Sequence, residues 1–231
     1  NKGATILQIE LNNANISDTL DRVHSVLSDA NKLVRLRLGG NDLSGSLLRF
    51  VNLTALTILD LGNNRKITGT LPSFNHLSSL SLLYLYGCGL TGPLRTLNNP
   101  LLRQFQVHEN RLNGSITNHF DRTPLLQHLR VHNNQFSGHF KSFSIDKLTN
   151  LLSVYIYGNK LNIGAFPSLE KNVALTDFRV GASNITSLPN LSKLTNLVVL
   201  HMDGNSISTL PDLKPLKKLK SFRAADCSIK Q

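Results

Sequence analysis

The stretch Leu126–Phe136, LQHLRVHNNQF, decides how this chain folds, because its spacing of apolar residues and asparagine recurs along the whole sequence. The pattern reads L-x-x-L-x-V-x-x-N-x-F, and close copies occupy Leu33–Leu43, Leu151–Leu161 and Leu197–Ile207. The first apolar positions of the copies are Ile6, Leu33, Leu56, Leu80, Leu102, Leu126, Leu151, Leu175, Leu197 and Leu219. About ten repeats, spaced roughly 22–27 residues apart, predict units that stack into a solenoid.

Within each copy the central residues alternate between apolar and free positions, which is typical of a short strand with one buried face. Successive strands should pair in parallel into one curved sheet. The asparagine that follows, here called the ladder residue, should turn inward and satisfy backbone groups that the turn leaves unpaired. Ladder residues are asparagine at 41, 64, 110, 134, 159 and 205, with Ala14, Cys88, Ser183 and Cys227 as exceptions.

The segments that return to the next strand carry a second pattern. Ile67-Thr-Gly-Thr-Leu-Pro72 and Leu112-Asn-Gly-Ser-Ile116 follow an LxGxLP motif. The corresponding motif in a later unit, Ile185-Thr-Ser-Leu-Pro189, is shorter. The chain therefore resembles the leucine-rich-repeat family, with plant-type early units that merge into typical shorter ones. The resemblance implies an α/β solenoid, a horseshoe of about ten units. Its concave side would be a parallel sheet, and its convex side irregular, 3₁₀ or short-helical.

The first return segment is the longest and predicts a helix. Leu20, Val23 and Leu27 fall on one helical face, with Ser17 or Asp18 as the N-cap. We expect this helix to lie on the convex side and to cover the first strands.

Residues 1–231 are expected to form a single leucine-rich-repeat domain of a longer protein. A solenoid needs caps at its ends, and the last copy stops shortly after Ile229, so we expect an end-capping segment or a partner chain to cover it. No apolar run approaches the ~18 residues that cross a bilayer. The paired-cysteine caps usual in plant receptors of this family are missing, which keeps a secreted bacterial or protist protein open.

The net charge of +11 is high for 231 residues. The densest basic cluster, Lys214, Lys217, Lys218 and Lys220, is predicted to be a solvated convex surface, with an anionic docking patch as the alternative. Cys88 and Cys227 should lie six strands apart, nearly 30 Å at ~4.8 Å per strand, too far for a disulfide. We expect two buried free thiols.

Five N-x-Ser/Thr sequons are possible glycosylation sites that leave the free face of the sheet open. They are at Asn15, Asn52, Asn113, Asn184 and Asn190.

Catalytic motifs are missing from the sequence, so we expect no enzyme and no cofactor. Gly87–Gly92 matches the spacing of a dinucleotide-binding loop, but it coincides with a ladder position and is followed by Pro93 rather than a helix. His108 and His132 should lie within ~5–6 Å on neighbouring strands. Zinc would need further ligands, for which only His128 and Glu109 are near, so we expect contacts to a ligand and no metal.

The residues between the inward-facing leucines should form columns on the concave surface. All four tyrosines of the chain fall in two such columns, with arginine and histidine between them. Cross-strand aromatic pairs that merely stabilise the sheet are the alternative explanation. We call the predicted ligand-binding residues the concave strip: Tyr84, Tyr86, Gln106, His108, Arg130, His132, Tyr155, Tyr157, Arg179 and His201.

Tyrosine and arginine are the residues most enriched at binding hot spots. The sequence thus favours a non-enzymatic recognition domain, extracellular or at the cell surface, that binds a peptide or protein ligand. An adhesive surface protein that binds anionic glycans through its charge is the alternative. Nucleic-acid binding has little support, because stacking platforms usually accompany a denser basic groove.

Overall fold

Each repeat copy forms one three-residue strand, and the ten strands pair in parallel into a single sheet. The computed structural model describes residues 5–139, 143–161 and 164–229. In chain order the strands are β1 (Gln8–Glu10), β2 (Arg35–Arg37), β3 (Ser44–Ser46), β4 (Ile58–Asp60), β5 (Lys66–Thr68), β6 (Leu82–Tyr84), β7 (Thr91–Pro93), β8 (Gln104–Gln106), β9 (Arg111–Asn113), β10 (His128–Arg130), β11 (Ser153–Tyr155), β12 (Gly164–Ala165), β13 (Asp177–Arg179), β14 (Ile185–Ser187), β15 (Val199–His201) and β16 (Ser221–Arg223). The large sheet has the order β1-β2-β4-β6-β8-β10-β11-β13-β15-β16, which confirms the predicted solenoid.

The middle residue of each strand in the ten-stranded sheet points into the core. Leu83 pairs with Phe105, Phe105 with Leu129, and Leu129 with Val154, and all four side chains are fully buried. Their flanking residues alternate to the other face, so the register of the sheet aligns the free positions into columns.

Short second sheets form in the return segments, where β3 pairs with β5, β7 with β9, and β12 with β14. The LxGxLP units place their glycine here with a positive φ, for example +88° at Gly69 and +78° at Gly92. A side chain would be strained in that conformation, which explains why these units keep glycine at this point.

The predicted ladder is confirmed. In Asn134, Nδ2 donates to Val107 O at 2.9 Å in the preceding unit and to Val131 O at 3.2 Å in its own unit. Its Oδ1 accepts from Leu112 N at 3.0 Å. The other five ladder asparagines bridge adjacent units in the same way.

A second set of buried contacts joins the return segments. Phe120 packs edge-on against Phe105 and Phe143, at ring-centroid distances of 5.5 and 6.3 Å. Asn99 and Asn172 are fully buried and donate to carbonyls of the preceding return segment. These two asparagines lie outside the repeated pattern, so their burial does not follow from the repeat.

The predicted helix exists as α1 (Leu20–Val26), but its N-cap prediction was wrong. Thr19 is the N-cap, and its hydroxyl accepts from Arg22 N at 3.3 Å. Leu20 and Leu27 are buried as expected, and the helix packs against the second-sheet strand β3. Asn118–Phe120 and Ile145–Lys147 are 3₁₀-helical turns in the described part of the chain.

Apolar side chains are partly open at the first and last strands. Ile6 is 61% exposed and Leu11 is 45% exposed, while Leu219 and Phe222 at the other end are only partly buried. The proposal that a cap or a partner covers these ends remains a prediction. Among the described residues, no helix has the length and apolarity that crossing a bilayer requires.

Both cysteines are free thiols, as predicted. Cys88 is buried, and its Sγ lies 3.5 Å from Leu61 O in the preceding unit and 3.6 Å from Tyr86 O. Burial raises the pKa of the Cys88 thiol to about 11. The expectation of a buried Cys227 was wrong, since it is only half-buried, because no described unit packs beyond the last strand.

Candidate ligand-binding surface

The sheet register places the concave strip in two adjacent columns. Tyr84 pairs with Gln106, Gln106 with Arg130, and Arg130 with Tyr155. The same column continues through Arg179 to His201. The second column lies two residues further along each chain segment, and the two columns run side by side across six strands.

The second column contains a continuous stack of four rings. Tyr86 stacks on His108 with centroids 4.7 Å apart and planes 3° apart. His108 stacks on His132 at 4.3 Å and 14°, and His132 on Tyr157 at 4.4 Å and 24°. The two tyrosine strands are three repeats apart, as predicted, but the histidines join their rings into one surface.

Beside the stack, Tyr155 lies between two arginines. The guanidinium carbon of Arg130 is 5.0 Å from the Tyr155 ring centroid, and that of Arg179 is 4.7 Å away. Asp177 holds this group together, since it accepts from Tyr155 Oη at 2.6 Å and from Arg179 Nε at 2.9 Å. Asp177 thereby neutralises Arg179, whereas Arg130 forms no ion pair within the described part of the chain.

Two strip residues offer less surface than the sequence analysis expected. His132 is 6% exposed and Gln106 is 8% exposed, because the rings and strands on both sides cover them. Gln106 Nε2 donates to Gln104 Oε1 at 3.1 Å, and the same oxygen accepts from Tyr84 Oη at 2.8 Å. These two residues position their neighbours more than they present atoms to solvent.

Burial keeps the histidines of the stack uncharged at neutral pH. It lowers the pKa of His108 to about 4, with a further contribution from the nearby positive charge of Arg130. It lowers the pKa of His132 to about 3, helped by His108 and by both arginines. Burial also raises the pKa of Tyr86 and Tyr157, so both phenols stay protonated. Arg130 is therefore the main net charge of the strip.

An open groove of about 490 Å³ continues the strip toward the last strands. Gly181, Ala182 and Gly204 form part of its wall, and these small residues leave space beside the ring of Tyr157. Arg179, His201, Asp203 and Arg223 supply charge and hydrogen-bonding groups. His201 Nε2 is 2.8 Å from Ser221 Oγ, which fixes its ring at the edge of the groove.

Gln104 and Asp177 are the site residues that the sequence analysis missed. They stand at the first position of their strands, in a third column beside the two predicted ones. The sequence does indicate the contact between Asp177 and Arg179, because residues two positions apart on a strand lie on the same face of the sheet.

The residues that could hold a metal ion are His108, Glu109 and His132, whose ligand atoms all lie within 4.8 Å of one another. His128 does not join them; its Nδ1 is 2.8 Å from Ser153 Oγ.

All five sequon asparagines are exposed and lie outside the ten-stranded sheet. Asn52 and Asn184 use Nδ2, the atom a glycan would occupy, to donate to backbone carbonyls.

The repeat, the parallel concave sheet and the asparagine ladder give this chain the leucine-rich-repeat fold. Comparison with solved structures agrees. The PEPR1–AtPEP1 structure is 27% identical, with a TM-score of 0.79 over 85% of this chain and 28% of that one. The Arabidopsis receptor kinase HAESA, in complex with the peptide hormone IDA and the co-receptor SERK1, is 22% identical, with a TM-score of 0.81 over 91% of this chain and 36% of that one.

The functional domain of InlJ from Listeria monocytogenes is 19% identical, with a TM-score of 0.68 over 99% of this chain and 55% of that one. The chain thus spans about a third of the PEPR1 and HAESA chains and about half of InlJ. The sequence matches no protein-family model, and it has no significant match among curated proteins.

Proposed function

We propose that this protein is a non-enzymatic recognition domain, extracellular or at the cell surface, that binds a peptide or protein segment along the concave strip. The observation that carries the proposal is the four-ring stack beside the arginine–tyrosine group. Together they contain three of the four tyrosines of the chain, and Tyr84 lies on the same sheet, in the column of Arg130 and Tyr155. The HAESA complex, which contains a peptide hormone, supports this proposal, since HAESA shares the fold.

The dimensions of the strip suit an extended peptide. From Tyr84 to His201 the strip crosses five strand spacings, or about 24 Å at ~4.8 Å each. An extended chain advances ~3.3 Å per residue, so about seven residues would span the strip. The groove beside Tyr157 would then accept one side chain or one end of the ligand.

The alternative, that the strip only stabilises the sheet, explains the bonded groups but not the unbonded ones. Tyr84, Tyr155 and Arg179 use their polar atoms within the protein. Arg130 Nε and the Nδ1 atoms of His108 and His132 are buried without a hydrogen-bond partner. Buried polar groups are normally satisfied, so these atoms favour a ligand that completes them.

The positive charge of Arg130 should make the strip prefer peptide segments that place an acidic side chain or a carbonyl group beside it.

The net charge of +11 also favours a second candidate function, adhesion to anionic glycans. The exposed lysines at 214, 217, 218 and 220 would contribute to it. A complex driven by net charge should weaken steeply with salt, whereas binding anchored on tyrosine rings should not.

The test is a peptide-display selection on the purified domain, followed by titration of the selected peptide. The chain has four tyrosines, all in the strip, and no tryptophan, so intrinsic fluorescence reports on this surface alone. Tyr157→Ala and Arg130→Ala should each weaken binding by about tenfold or more. Arg111→Ala, on the second-sheet strand β9, is the matched control and should bind like the parent.

Unchanged affinity in both strip variants would place the ligand elsewhere and leave the rings as sheet stabilisation. Loss of binding in moderate salt, with polyanions competing as well as the peptide, would favour the glycan function instead.

A further inference from the structure

Glu109 occupies a backbone position that suits it poorly. Its φ is +55°, in the left-handed region, directly before the ladder asparagine Asn110. The same turn position in the other units holds Asn13, Gly40, Asn63, Gly87, Asn133, Gly158, Ala182, Gly204 and Asp226. Glycine and asparagine enter this region readily, whereas a glutamate backbone is strained there. Packing does not explain the choice, because the Glu109 side chain is exposed.

The turn brings this carboxylate near two imidazoles whose Nδ1 atoms lack a hydrogen bond. The nearest ligand atoms of Glu109, His108 and His132 lie within 4.8 Å of one another. The Nδ1 atoms of both histidines are buried without a hydrogen bond, and His132 is only 6% exposed. An unsatisfied buried polar atom is destabilising, so two of them beside a residue with a strained backbone need an explanation.

We infer that His108, Glu109 and His132 form a binding site for a divalent transition-metal ion of the zinc, copper or nickel class. Two imidazole nitrogens and one carboxylate oxygen are the donors such ions prefer, and water or a ligand atom from the groove would complete the coordination. Bonds of ~2.1 Å place two ligand atoms ~3.4 Å apart around a tetrahedral ion. Closing the present separations requires movements of less than about 1.5 Å.

The present ring geometry sets a condition on binding. Lone pairs of imidazole lie in the ring plane, and the planes of His108 and His132 are only 14° apart. Two parallel rings cannot both aim at one ion, so at least one must turn about its Cβ–Cγ bond, a soft torsion. Turning His108 or His132 breaks the stack with Tyr86 or Tyr157. Metal binding should therefore change the tyrosine signal even though no tyrosine is a ligand.

Neighbouring charges oppose each other at this site. The positive charge of Arg130 disfavours a cation, while Asp177 neutralises Arg179 and Glu109 contributes a negative charge. Because the Glu109 carboxylate only offsets the charge of Arg130, we expect micromolar rather than nanomolar affinity for the metal ion. Without Glu109 the positive charge of Arg130 would be unopposed, so the site needs this carboxylate.

The experiment is a calorimetric titration of the tag-free protein with Zn²⁺ alone in a non-chelating buffer, with tyrosine fluorescence and near-ultraviolet circular dichroism followed in parallel. The key variant is Glu109→Gly, because four other units carry glycine at this turn and the fold should keep or gain stability. His132→Gln is the second variant, with its melting temperature measured. His128→Gln is the matched control, a histidine of the same unit outside the cluster.

We expect one Zn²⁺ per chain, a tyrosine signal that saturates at the same stoichiometry, and an affinity reduced about tenfold or more in Glu109→Gly and His132→Gln. The control should bind like the parent protein. Absence of binding at about 1 mM Zn²⁺, an unchanged affinity in Glu109→Gly, or an equal loss in His128→Gln would overturn the inference. Because Zn²⁺ is the only probe, this result is independent of whether the strip binds a peptide.

Discussion

Replacing one ladder asparagine tests the physical basis of the solenoid, and Asn134→Ala is the best position. The substitution removes three donor contacts, to Val107 O, Val131 O and His132 O, and one acceptor contact from Leu112 N. The three carbonyls keep a partner, because Val107 O also accepts from Asn110, Val131 O from Asn159 and His132 O from Glu109 N. The amide of Leu112 is the group that loses its partner.

The loss of stability in Asn134→Ala therefore comes mainly from the unpaired amide of Leu112. A buried amide without a partner costs about 1–3 kcal/mol, and each remaining lost bond adds up to about 1 kcal/mol. We therefore expect Asn134→Ala to lower the free energy of unfolding by about 2–3 kcal/mol. In a domain of this size, that corresponds to a melting temperature roughly 4–12 °C lower.

Cys88→Ala is the matched control at another buried ladder position. No amide depends on Cys88, since Ile67 N, which would need an acceptor there, instead donates to Asn64 O at 3.0 Å. The thiol is a weak donor, so its loss should cost about 1 kcal/mol or less. Thermal unfolding followed by circular dichroism measures both variants. Equal destabilisation by the two substitutions would refute the claim that a ladder asparagine stabilises the fold mainly by accepting from a backbone amide of the preceding unit.

Two further predictions concern the thiols and the buried histidines. A thiol reagent should modify the half-buried Cys227 in the native protein and Cys88 only after unfolding, because Cys88 is buried and its pKa is raised to about 11; equal native rates would contradict the assigned register. The free energy of unfolding of the metal-free protein should fall as the pH drops below about 6.5, where the histidines become protonated in the unfolded chain. The fall should continue toward the pKa values of the folded protein, about 4 for His108 and about 3 for His132. The slope should approach about 1.4 kcal/mol per pH unit for each histidine and flatten in His132→Gln; an unchanged slope in that variant would show that other groups cause it.

The backbone and the inward face of this protein are readable from its amino-acid sequence. One repeated spacing indicates where each strand begins, which side chains enter the core and which asparagine bridges two units, because stacking identical units imposes the same burial on each. The columns follow from the same rule. Tyr84, Arg130 and Tyr155 therefore align as expected, although their pairing partners are more than 20 residues away in sequence.

The arrangement of side chains on the concave surface is a tertiary property. Strands ~4.8 Å apart leave each ring free to stack or turn, and the outcome depends on neighbours from other units. Pattern alone does not show that His132 is covered by the rings on either side, that Asp177 binds both Tyr155 and Arg179, or that the carboxylate of Glu109 approaches two imidazoles. The repeat governs the main chain, which is common to every unit, whereas the site arises from the few side chains in which the units differ.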